Sequence, residues 1–199
     1  MTASGMRHNS RLVLATALLL AALAAPAGAD EIRAQQVNRD LEGWMIGEFI
    51  LTDQYGAAFT QEHLQGRWTF LLLGDSRRDE SCTAALPALS AMFRRIASTR
   101  VVRLTQVLFV SLDPKHDSSD KLAEYLTAFD SRFIGASGNR ENLTRLAEDL
   151  NPPGAPPGAG GKAGSLWLIG PDGIVRGEFL PPYDVLQLTE RFLKTRIGR

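Results

Sequence analysis

The sequence predicts an α/β fold: a mixed, mostly parallel central sheet with helices on both faces and a β-hairpin on its N-terminal side. Three observations carry this. Two apolar runs without alternation, Trp68–Leu73 and Thr105–Leu112, read as strands buried on both faces. Between and after them, apolar residues recur at steps of three and four, the spacing of one helix face. Strand and helix patterns alternate, and a chain of 199 residues with 44% hydrophobic composition suits a single core around such a sheet.

The N-terminal stretch reads as a signal peptide over residues 1–29. Arg7 and Arg11 precede an apolar run from Leu12 to Ala25, and Ala27-Gly28-Ala29 is a small-residue cleavage site. The run has 14 residues, against about 20 needed to span a bilayer. Cleavage after Ala29 and export across an inner membrane to the periplasm are therefore expected; an uncleaved leader acting as an anchor is the alternative. Nothing later in the sequence is long enough to span a membrane. Removing the leader takes away two arginines and no acids, leaving 20 basic against 22 acidic residues. That balance argues against a nucleic-acid partner.

Residues 30–45 are expected to be a flexible lead-in and 46–199 the folded domain. Gly47–Gly56 followed by Ala58-Phe59 suggests a β-hairpin. Thr60 is placed to cap a single turn through Leu64, closed by Gly66, ahead of the strand Trp68–Leu73. From Cys82, the residues Ala85, Leu86, Leu89, Phe93 and Ile96 share one helical face. Pro87 would clash with the carbonyl of Thr83, so the regular helix is expected from about Ala84, with Cys82 in the approach turn.

Asp113-Pro114 closes the second strand. Ser118, Ser119 and Asp120 offer N-caps for a helix carrying Leu122, Tyr125, Leu126 and Phe129. Phe133–Ala136 reads as a short strand, and Leu143, Leu146, Ala147 and Leu150 as a helix after Asn139. Residues 151–164, rich in glycine and proline, read as a mobile loop. Leu166–Ile169 and Ile174–Phe179 flank Gly170-Pro-Asp-Gly173, a hairpin signal. A helix from Tyr183 to Ile197 follows, with Val185, Leu188 and Phe192 inward. The order is that of a thioredoxin-like fold with one antiparallel edge. Its working end should lie where the loops after Leu73, after Leu112 and before Ser165 meet.

Several stretches, in this order and spacing, resemble the Sco (SenC) family of thioredoxin-fold copper chaperones of cytochrome c oxidase assembly. They are Phe49-Ile-Leu-Thr-Asp53 with Gly56, Gly66–Gly74, Val110–Asp117, Leu122–Phe129, Phe133–Gly138 and Leu166–Gly173. The resemblance implies copper held by a C-x-x-x-C pair and a histidine ahead of the late hairpin. Matched through Gly74 and through Leu166–Ile169, those positions fall at Arg78, Cys82 and Lys162. Only Cys82 is retained. Arginine and lysine offer no lone pair at neutral pH, whereas Cu(I) is selected by thiolates, so the usual copper relay is not expected.

Cys82 is the only cysteine and so cannot form an internal disulfide. It reads either as a small hydrophobe under a helix turn or as a redox-competent thiol. Arg77 and Arg78 would favour its thiolate; Asp79 and Glu80 would oppose it. A peroxidase pattern fails, because Asp75 and Asp79 occupy its proline and threonine positions. His116 could join Cys82 and a carboxylate in a partial site better suited to Cu(II) or zinc, or be a solvated loop residue. His63 reads as solvated, and His8 leaves with the leader.

The charged run Asp75, Arg77, Arg78, Asp79, Glu80 is either a docking surface or a self-neutralising turn. Trp68 and Trp167 read as core. Together these point to a non-enzymatic, extracytoplasmic accessory protein acting through protein partners. By resemblance those are respiratory oxidase subunits or another copper chaperone. The alternative is a thiol redox protein forming mixed disulfides through Cys82.

Overall fold

The computed structural model describes residues 43–77, 80–151, 153 and 164–198, with the side chains of residues 80–83 outside that description. The strands are β1 (Ile50–Asp53), β2 (Ala58–Thr60), β3 (Trp68–Gly74), β4 (Thr105–Ser111), β5 (Ile134–Ser137), β6 (Leu166–Ile169) and β7 (Val175–Phe179). The helices are α1 (Glu80–Arg95), α2 (Ser119–Thr127), α3 (Arg140–Asp149) and α4 (Val185–Ile197). All seven strands join one sheet, in the order β2-β1-β5-β4-β3-β6-β7.

The two unalternating runs take the centre of the sheet. β3 and β4 pair in parallel from Trp68 against Thr105 to Gly74 against Ser111, and β4 pairs in parallel with β5. β6 and β7 add an antiparallel edge beside β3, as expected. The expectation of one antiparallel edge is corrected at the other side, where β1 pairs antiparallel with β5 and carries β2 outward. Gln54 fixes that junction: its amide nitrogen donates to the Phe133 carbonyl at 3.3 Å, and its side-chain oxygen accepts from the Gly135 amide. Gly135 lets α2 lie close on the sheet: a Cβ there would come within 2.7 Å of the Leu126 side-chain end and 3.1 Å of the Leu122 Cβ, so the helix side chains would have to shift.

A core lies on each face of the sheet. On one, Phe70 and Leu72 pack with Leu86, Leu89 and Phe93 of α1, Leu122 and Leu126 of α2, and Leu188 and Phe192 of α4. Phe70 and Phe192 meet edge to face with centroids 5.1 Å apart. On the other, Leu71, Leu108, Val110 and Trp167 pack with Leu143 and Leu146 of α3 and with Leu150 just past its end. Each such side chain contributes about 1.5–3 kcal/mol on burial. Trp68 and Trp167 are core residues, as read.

The beginning of α1 corrects the sequence reading. The helix starts at Glu80 and runs through Pro87, so the backbone of Cys82 lies within its first turn and not in an approach turn. Pro87 removes one helical hydrogen bond, a cost of about 3 kcal/mol in a helix interior. The apolar face outweighs it: Ala85, Leu86, Leu89 and Met92 are wholly buried. Local propensity yields here to tertiary packing.

The ordered fold also reaches back past its expected start at residue 46. Trp44, placed in the lead-in, donates its indole N–H to the Asp149 carbonyl at 2.6 Å and sets its ring edge-on to Trp167. Met45 bridges Ile174. Ile174, expected to open the last strand, forms an isolated bridge instead, and β7 begins at Val175. Ala147 is half-buried, while its expected partners Leu143, Leu146 and Leu150 are buried. The leader, most of the lead-in and most of the glycine-proline loop lie outside the described residues.

Candidate functional site

The carboxyl ends of β3, β4 and β5 each present a serine, and one buried carboxylate gathers two of them. Asp117 is only 3% exposed. Its Oδ2 accepts from the Ser111 hydroxyl at 2.6 Å and from the Ser76 amide at 3.2 Å, and its Oδ1 accepts from the Ser76 hydroxyl at 2.6 Å. The Ser111 hydroxyl oxygen in turn accepts from the Asp113 amide at 3.1 Å. Ser137 donates its hydroxyl to the Ser111 carbonyl at 3.0 Å. Leu112 donates its amide to the Gly74 carbonyl at 2.8 Å. A buried carboxylate with this many donors is satisfied, so the loop after β3 is fixed to the loop after β4.

Outside this network lies a second, exposed cluster. The Arg77 guanidinium donates to Asp113 Oδ2 at 2.6 Å, and His116 Nδ1 lies 2.8 Å from the same oxygen. Arg77 also donates its amide to Asp75 Oδ1 at 2.9 Å. Asp113 is held below the ordinary carboxylate pKa of 3.8. Desolvation is the largest single influence and pushes the other way, but the hydrogen bonds and charges of His116 and Arg77 together outweigh it.

The sequence candidates fall into three groups. His116 comes together with Asp113, Arg77 and Asp75. The backbone of Cys82 sits in the first turn of α1, where the free N–H groups of a helix end favour a thiolate; its side chain, with Arg78, Asp79 and Lys162, lies outside the described residues. Among the described residues, no group of three or more His, Cys, Asp or Glu side chains could hold a metal ion. His63 stands apart: it is exposed, accepts from the Thr60 amide through Nδ1 at 3.0 Å and stacks on Phe59.

Asp117 and its serines were not among the sequence candidates. A signal was present: Ser76, Ser111 and Ser137 each stand at or just past the carboxyl end of a central strand. Hydroxyls converging there invite a search for a shared acceptor. In sequence, Asp117 looks like another loop charge.

The SCO1/SenC family pattern matches residues 38–155, more than half of the chain. The chain belongs to the SCO1/SenC family. A relative from Stutzerimonas stutzeri, whose name proposes copper binding, is 31% identical over 183 residues, covering 88% of each chain. Protein SCO2 of Saccharomyces cerevisiae mitochondria is 34% identical over 102 residues, which are 51% of this chain and 34% of that protein.

Among solved structures, yeast Sco1 with copper bound matches at 24% identity and a TM-score of 0.67, covering 78% of this chain and 90% of the other. Arabidopsis thaliana ScoI with copper bound matches at 22% identity and the same score, over 78% and 100%. These structures establish the thioredoxin-like Sco fold.

Proposed function

We propose that this SCO1/SenC protein is an exported accessory factor for oxidase assembly or copper homeostasis, acting by binding a protein partner and not as a copper carrier. One observation carries the reading most directly. His116, the histidine nearest the site end in sequence, shares the Asp113 carboxylate with the Arg77 guanidinium. A fixed cation 2.6 Å from the carboxylate that meets this histidine repels a metal ion and occupies an acceptor a metal would need. Arg78 and Lys162 at the other family ligand positions act in the same direction.

The docking surface in this reading is the end of the sheet bearing Asp75, Arg77 and Asp113. The Asp117 network gives that surface a defined shape, a prerequisite for recognising a partner without ordering a loop first. Copper titration of the chain tests the proposal. No stoichiometric copper should remain bound against a competing Cu(I) chelator. Stoichiometric copper that persists, and is lost in Cys82→Ser, overturns the proposal; dependence on His116→Ala as well would assign a Cys82–His116 site.

A second reading has its own support in the placement of Cys82 within the first helical turn. There its thiolate would attack a partner disulfide, forming a mixed disulfide and releasing the other partner sulfur as a thiolate. Alkylation rates measured against pH decide this one. A folded-state thiol that reacts only after denaturation eliminates it.

Export rests on the Arg7–Ala29 segment. The expected product begins at Asp30, and N-terminal sequencing of the processed protein checks it. No helix among the described residues is long and apolar enough to cross a membrane.

A further inference from the structure

A cleft of about 690 Å³ opens beside Asp113, between the Leu112–Lys115 segment and α3. Small-molecule sites typically enclose about 300–1,000 Å³. Leu112, Pro114, Leu143 and Ala147 give it apolar lining. Leu112 is 47% exposed, an apolar surface left open at the end of a central strand.

The charges around the cleft are unequal in availability. Asp113 is already engaged by Arg77 and His116. Arg140 and Lys115, which both border the cleft, have no ion pair or side-chain hydrogen bond among the described residues. Glu148 also lines it, but lies eight residues along α3 from Arg140, about 12 Å on the helix rise. An anion at the Arg140 position is therefore well separated from the cleft's one uncompensated carboxylate.

We infer that this cleft binds a small amphipathic anion, with a carboxylate or sulfonate head on Arg140 and Lys115 and an apolar body against Leu112, Leu143 and Ala147. Arg140 can meet a carboxylate with two parallel N–H donors, and Lys115 adds a point charge. The inference does not rest on any metal or thiol chemistry at Cys82 and stands or falls independently of the proposed function.

The test uses the purified full chain with 8-anilinonaphthalene-1-sulfonate as a fluorescent probe and decanoate as competitor. Saturable, one-to-one dye binding to the folded chain, displaced by decanoate, is the expected result. Arg140→Gln and Lys115→Gln should each weaken decanoate binding about tenfold, as loss of one charge-assisted hydrogen bond does. Thr144→Trp, which fills the cleft, should abolish it.

Arg145→Gln is the control on the same helix, since Arg145 pairs with Glu141 at 3.1 Å, and it should bind as the parent does. The inference is overturned if Arg145→Gln weakens binding as much as Arg140→Gln, if decan-1-ol competes as well as decanoate, or if a folded Thr144→Trp chain binds normally. Arg140 and Lys115 are exposed, so their variants keep the test decisive even where Thr144→Trp fails to fold.

Discussion

Asp113 and Asp117 lie four residues apart in one loop, yet their surroundings give them opposite tasks. Asp117 is buried and accepts from two serine hydroxyls and a backbone amide, so it holds two strand ends together. Asp113 faces solvent and is shared by a guanidinium and an imidazole, so it sets the charge of the surface. The same side chain is mechanical in one place and electrostatic in the other. Burial decides which, because an unpaired polar group is costly inside and nearly free outside.

Removing the buried partner should have the largest effect. Asp117→Ala leaves the Ser76 and Ser111 hydroxyls without their acceptor and should lower unfolding stability by about 3 kcal/mol, read from chemical denaturation. Asp117→Asn keeps one acceptor oxygen and should lose less. Equal losses in the two variants would mean that the contact is packing and not hydrogen bonding.

Ser111→Ala comes next, at about 1 kcal/mol, since it removes one donor to Asp117 and the acceptor for the Asp113 amide. Asp113→Asn should leave the denaturation midpoint indistinguishable from that of the parent. A clear loss there would dissolve the distinction between the two aspartates.

The smallest effect is a titration. Because the folded pKa of Asp113 is lowered, its ties to Arg77 and His116 are fully present above the ordinary value of 3.8 and are lost as pH falls through the lower folded value. The carboxyl carbon shift of Asp113 should therefore show a midpoint below 3.8. Arg77→Ala should move that midpoint upward, and an unchanged midpoint would remove Arg77 from the account.

Much of the fold was legible because its signals are local and repeated. The unalternating runs at Trp68 and Thr105 marked the central parallel pair, and Gly170-Pro-Asp-Gly173 marked the late hairpin. Asn139 caps α3 through the Asn142 amide, immediately ahead of the helix pattern expected there. The beginning of α1 was not legible. Pro87 is a strong local signal against helix, and the packing that overrides it involves residues from β3, α2 and α4 that are distant in sequence. Trp44 was missed for a related reason: its hydrogen-bond partner lies 105 residues away.

At the candidate site, His116 and the charged loop could be named from the sequence, but their grouping could not. The sequence by itself determined the strand and helix order and the single thiol. Those follow from residue identity and spacing along the chain. Only the tertiary structure decided that Asp117 is an internal clasp, that Arg77 neutralises the carboxylate beside His116, and that Cys82 enters the helix ahead of Pro87. Each of these depends on what surrounds a residue in space, and burial and hydrogen-bond partners arise only when distant segments pack.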